Sequence, residues 1–178
     1  SNDNEIQIKD DNPDVEIVNK NGELKIRMTP ARIMQGDKVY VTVYYKNIKE
    51  VQASQGAKIS SDDTMEAEKL SVISNEGSVL NIKVNTDVLT AKANSGGVIN
   101  ITGNTENQDV LVNSGAFYNG KDLESETVSV TANAGGEADI FASKSINAKT
   151  RAGGTIIVYG SPKDRNTKNV IGGKIIFK

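Results

Sequence analysis

Ser74-Asn75-Glu76-Gly77-Ser78-Val79-Leu80-Asn81-Ile82 is answered by Ala93-Asn94-Ser95-Gly96-Gly97-Val98-Ile99-Asn100-Ile101 and again by Ala132-Asn133-Ala134-Gly135-Gly136-Glu137-Ala138-Asp139-Ile140. Outward from these copies, Gly56, Gly77, Gly96, Gly115, Gly135, Gly153 and Gly172 follow at intervals of 21, 19, 19, 20, 18 and 19 residues. The residues three and five before each glycine are small or β-branched (Val72 and Ser74, Ala91 and Ala93, Val110 and Val112). Those three and five after it are mostly apolar (Leu80 and Ile82, Ile99 and Ile101, Ile156 and Val158). Period two on both sides of a glycine describes two short strands joined by a bend, with one face inward. A unit of ~19 residues cannot bury that face alone, whereas copies stacked at the ~4.8 Å strand spacing build one continuous core. The sequence therefore predicts an all-β chain, a parallel β-helix (β-solenoid) of ~19-residue coils. Its six intervals make a rod roughly 30 Å long, and right-handed crossovers are expected.

Two polar columns accompany the beat. Asn75, Asn94, Asn113 and Asn133 each lie two residues before their glycine, where stacked amides can hydrogen-bond along the stack, a structural role. Asn81, Asn100, Asn119 and Asp139 lie four residues after it, between two inward positions, and therefore point outward. This second column is the candidate binding surface, a row of amides able to meet sugar hydroxyls.

The ends differ from the middle. Val15 to Lys20 and Glu23 to Met28 flank Asn21-Gly22, a signal for a two-residue hairpin that sets Ile17 opposite Ile26, Val15 opposite Met28 and Glu16 opposite Arg27. With the alternating run Val39 to Tyr45, residues 1–48 read as an antiparallel hairpin cap on a repeat region spanning 49–178, the two forming one structural domain. Ser161 to Asn169 reads as a polar loop before a final strand, Lys174 to Phe177. Residues 1–24 carry seven acids and two bases, and residues 144–178 eight bases and one acid.

Composition excludes much chemistry. The 178 residues contain no Cys and no His, which removes thiol nucleophiles, disulfides and imidazole bases, so no enzyme, cofactor or metal is expected. A net charge of -2 gives no case for nucleic acid, and no apolar run is long enough to span a membrane as a helix. Asp62, Asp63, Glu66 and Glu68, and Asp122, Glu124 and Glu126, read as solvated acids in coil-to-coil loops. No phosphate loop, calcium-binding nonapeptide or hexapeptide period is matched.

The runs Asn21-Gly22-Glu23-Leu24-Lys25-Ile26, Val39-Tyr40-Val41-Thr42-Val43, Gly96-Gly97-Val98-Ile99-Asn100-Ile101 and Gly153-Gly154-Thr155-Ile156-Ile157-Val158-Tyr159-Gly160-Ser161-Pro162 resemble the head GIN domain family of auto-transporter-adhesin-like proteins of Gram-negative bacteria. The resemblance implies an exported protein, periplasmic or on the outer membrane and cell surface, often lipid-anchored through a Cys upstream of Ser1. It implies an adhesin-like or lipid-binding role and brings no catalytic residues. The expected partner is a glycan or protein met by the rigid outward face. The alternatives are a lipid or other hydrophobic ligand on outward Ile73, Leu111, Phe141, Ile157, Tyr159 and Ile176, and structural assembly as a homo-oligomer.

Overall fold

Every predicted bend is a tight turn whose two central residues both lie in the left-handed region. Gln55, Glu76, Ser95, Ser114, Ala134, Ala152 and Ile171 have φ between 47° and 55°, and the glycines that follow have φ between 67° and 81°. Turns of this type are closed by a bond from the fourth residue to the first, as in Gly97 N to Asn94 O at 2.9 Å and Ser78 N to Asn75 O at 3.1 Å. Each bend also holds the next, because the glycine N–H donates to the carbonyl of the left-handed residue one coil on. Gly77 to Ser95, Gly96 to Ser114 and Gly115 to Ala134 make this bond at 3.1, 3.2 and 3.1 Å. Glycine avoids the steric cost that L side chains meet there. The position after it needs smallness for another reason: a Cβ on Gly97, Gly136 or Gly154 would sit well inside 3.0 Å of the carbonyl oxygen of Ser74, Val112 or Ala132 in the coil before.

The computed structural model describes residues 4–8, 15–29 and 39–178. The chain divides into two units, Ser1–Asn47 and Ile48–Lys178. In the first, strand β1 (Glu5–Ile8) pairs antiparallel with β4 (Val41–Tyr44), and β2 (Val15–Lys20) pairs with β3 (Glu23–Met28). The β2–β3 register sets Val15 against Met28, Glu16 against Arg27 and Ile17 against Ile26, about a turn in which Asn21 and Gly22 have φ of 54° and 80°. Arg27 donates two 2.9 Å bonds to Glu16 and holds its carboxyl below the ordinary 4.5. The portions of the expected 1–48 cap at residues 1–3, 9–14 and 30–38 lie outside the described residues.

The second unit is a β-solenoid of about 7 turns, with no helix among the described residues. Its strands are β5 (Glu50–Ala53), β6 (Lys58–Asn75), β7 (Val79–Asn94), β8 (Val98–Val112), β9 (Phe117–Asn133), β10 (Glu137–Phe141), β11 (Ser145–Arg151), β12 (Thr155–Tyr159), β13 (Asp164–Val170) and β14 (Lys174–Phe177), all paired in parallel. Inward positions stack as columns. Leu80, Ile99, Tyr118, Ala138 and Ile156 are buried in successive coils, as are Val72, Ala91, Val110, Val130 and Ala148. Tyr118 is the bulkiest fully buried side chain, and its ring lies where a Cβ on Gly120 would go. The Tyr118 hydroxyl donates to Gln108 Oε1 at 2.9 Å, and Gln108 Nε2 bonds Ser125 Oγ.

Coil length varies away from the bends. Residues 61–63 of β6 stand against the single Ile82 of β7, and Gly120 with Lys121 of β9 against the single Ile101 of β8. The acids expected in coil-to-coil loops therefore lie within or beside strands: Asp62 and Asp63 form the first irregularity and Asp122 follows the second. A second correction concerns Ser161 to Asn169. Asp164–Val170 is strand β13, paired residue for residue with β11. Its inward positions carry Arg165, Thr167 and Asn169 where β11 has Ile146, Ala148 and Thr150, so its hydropathy conceals a strand that the preceding coil's main chain templates. Arg165 lies 4.5 Å over the Phe177 ring and donates to Pro162 O, covering the last layer of the core with a polar group.

Candidate binding groove

Both amide columns hydrogen-bond along the stack, the outward one as well as the one expected to. Asn94 donates to Asn75 at 2.9 Å, Asn113 to Asn94 at 2.9 Å and Asn133 to Asn113 at 2.8 Å, each Nδ2 reaching the Oδ1 of the coil before. On the outward column Asn100 donates to Asn81 at 2.7 Å and Asn119 to Asn100 at 2.5 Å, while Asp139 stands in register above Asn119. Two buried side-chain oxygens lack a hydrogen-bond partner among the described residues, Asn133 Oδ1 and Asp139 Oδ1. Each is the last rung of its column. Arg151 follows Asn133, Ile157 follows Asp139, and a carboxylate has no N–H to continue the ladder.

The outward apolar residues divide between faces. Ile73 and Leu111 belong to a column in which Lys92 separates them. Phe141 and Tyr159 are register neighbours, as are Ile157 and Ile176, and together they form one patch on the last coils; Lys178 lies 5.3 Å over the Tyr159 ring.

A groove of about 720 Å³ escaped the sequence reading. It crosses the stack where two outward columns run in register. One is Val88, Asn107, Thr127, Ser145 and Asp164, each eight residues before its glycine. The other, two residues on, is Asp109, Ser129, Asn147 and Asn166. Beneath them Gln108, Val128 and Ile146 close the floor, and Lys163 and Arg165 stand at the last coil. The signal was present as a repeated short polar residue at fixed distance from the glycine, but such residues also mark any solvated strand face. From Asn107 to Asn166 the walls offer two hydroxyl, amide or carboxylate side chains in each coil, on strands whose main chain is paired. Such a trough can hydrogen-bond an elongated polar ligand without folding around it.

Among the described residues no group of three or more Asp or Glu side chains is placed to hold a metal ion, and no helix is long and apolar enough to cross a membrane. Burial pushes the Tyr118 phenol above its ordinary 10.0, toward the neutral hydrogen-bond donor.

Two solved structures share the architecture. A protein described as a putative adhesin from Bacteroides fragilis NCTC 9343 superposes with a TM-score of 0.87 at 14% identity, over 99% of this chain and 83% of that one. Another so described, from Parabacteroides merdae ATCC 43184, gives 0.70 at 20% identity, over 97% and 82%. No curated protein matches the sequence. The family model described as "Putative auto-transporter adhesin, head GIN domain" matches residues 1–162, and the chain belongs to that family.

Proposed function

We propose that this chain is a non-catalytic, adhesin-like module displayed at the surface of a Gram-negative cell, which holds a glycan along its solenoid groove. The groove carries the reading: Asn107, Thr127, Ser129 and Asn147 repeat short hydrogen-bonding groups coil after coil in a trough open to a polymer. The family supports an adhesin-like role. Asn81, Asn100, Asn119 and Asp139 are the rival surface within this proposal. The three amides bond one another lengthwise and each Nδ2 keeps a second proton for a ligand, while the Asp139 carboxylate offers acceptors only.

Glycan-array binding separates the two surfaces. Wild type is expected to retain at least one polymeric glycan. Ser129→Trp, which fills the groove from an exposed position, is expected to lose it at least about tenfold, while Asn81→Ala/Asn100→Ala/Asn119→Ala binds as wild type below its melting temperature. The reverse outcome moves the site to the Asn column, and a wild type that retains no glycan defeats the proposal. Export and a lipid anchor complete it, checked by protease shaving of intact cells and by labelling with a fatty-acid analogue.

The Phe141, Ile157, Tyr159 and Ile176 patch favours a second reading, contact with a lipid or other hydrophobic ligand, because these four lie together and Ile176 is 42% exposed. Flotation with phosphatidylethanolamine vesicles that Ile176→Ser abolishes would favour it over the groove.

A further inference from the structure

We infer that the outward face of the β11–β13 pair is an anion-binding array that takes the acidic substituents of a carboxylated or sulfated glycan. Lys149 and Lys168 occupy register-matched positions on adjacent strands, and Arg151 lies two residues along β11 on the same face. None of these three cations has an ion pair with a described residue, whereas Lys144, in the bend just before β11, reaches Glu126 Oε2 at 2.5 Å. Like charges directly opposite on neighbouring strands are destabilising, so this arrangement costs stability unless an anion lies over it. Edge protection does not account for the pair. A lysine on an edge strand discourages strand addition, which covers Lys168 on β13, but Lys149 is on β11, which is paired on both sides, to β9 and β13.

The same column in earlier coils carries Gln52, Ile73, Lys92, Leu111 and Thr131, with no two cations adjacent. The array also joins the groove. Asn147 and Asn166, paired in register and lining it, lie two residues before Lys149 and Lys168 on the same strand face. A chain lying in the groove would thus meet amides suited to hydroxyls and, one step along each strand, cations suited to carboxylate or sulfate. The inference rests on the glycan reading above and specifies the charge of the ligand.

The test measures binding of the full chain to heparin, polygalacturonate and neutral dextran by calorimetry, with Lys149→Gln/Lys168→Gln and Ser129→Trp beside wild type. Wild type is expected to bind an acidic probe at least about tenfold tighter than dextran, the difference shrinking as salt rises from ~50 to ~500 mM. The lysine variant is expected to lose that preference, keep its glycan-array profile for neutral glycans and melt no lower. Wild type without the preference, or a lysine variant that binds the acidic probes unchanged, overturns the inference. Ser129→Trp losing neutral glycans while the lysine variant is unchanged overturns the array and leaves the groove standing; no glycan bound in any experiment removes both. Light scattering closes a last route: if the lysine variant merely dissociates a wild-type oligomer and heparin binding is unaltered, the array joins copies of this chain and the inference is wrong.

Discussion

The coils from Asn75 to Asn133 and those from Asp139 to Lys178 are built on one register but present opposite surfaces. In the earlier coils the two amide columns satisfy themselves, Asn upon Asn, through bonds of 2.5 to 2.9 Å. In the later coils the same columns become Arg151 and Val170, and Ile157 and Ile176, flanked by Lys149 and Lys168, which have no ion pair among the described residues. A self-satisfied surface stabilises the stack and has little left for a ligand. An unsatisfied one costs stability and is available for binding, a trade met at functional sites. Along these two columns self-bonded repetition belongs to the scaffold, and its interruption leaves groups free for a ligand.

The residue after the bend separates the two regions most. Gly97→Val drives a side chain into the Ser74 carbonyl and is expected to cost about 3 kcal/mol in chemical denaturation. Gly173→Val in the last coil meets Thr150 Oγ1 and Cβ and Asn169 Oδ1 rather than a main-chain carbonyl; the clash can be relieved by a shift of β14, which is paired on one side only, and the change should cost about 1 kcal/mol. Next, Asn113→Ala removes a bond on each side and should cost about 2 kcal/mol, while Asn133→Ala, at the last rung, should cost about half that. Equal costs would refute the ladder as a source of stability.

Tyr118→Phe strands Gln108 Oε1 in the core and is expected to cost about 1.5 kcal/mol. It also carries a pH signature. Because burial raises the phenol's pKa above 10.0, its stabilisation is fully present below pH 10 and is lost as pH rises beyond it; the Phe variant should show a flatter alkaline profile. The smallest effect belongs to Lys149→Thr, expected to stay within about 0.5 kcal/mol of wild type and on the stabilising side. A clear loss of stability there would mean that the cation has a structural role.

Much of this was legible because glycine at a bend has few substitutes. The beat of Gly56 to Gly172 and the alternation around it specify stacking, inward columns and amide ladders without any long-range information. Three things were not legible, each for a physical reason. β13 hides because Arg165, Thr167 and Asn169 replace apolar inward residues at the end of the stack, where pairing with β11 rather than hydropathy holds the strand. The left-handed residue before each glycine carries no common side chain, ranging from Ser95 to Ile171, which is β-branched, 82% exposed and held at φ 54° by the stacked bends. The groove depends on how the wall curves between bends, which periodicity does not encode.

The irregularities in β6 and β9 let such a molecule change without losing its frame. Coils of 18 to 21 residues share one set of aligned bends because the surplus is taken up in the walls, at 61–63 and around Lys121. The bends act as a fixed-pitch spindle and the walls as slack wound on it. Insertions at those two places are expected to leave both amide columns in step, so that a wall can be resculpted for a new ligand while the spindle that displays it stays the same.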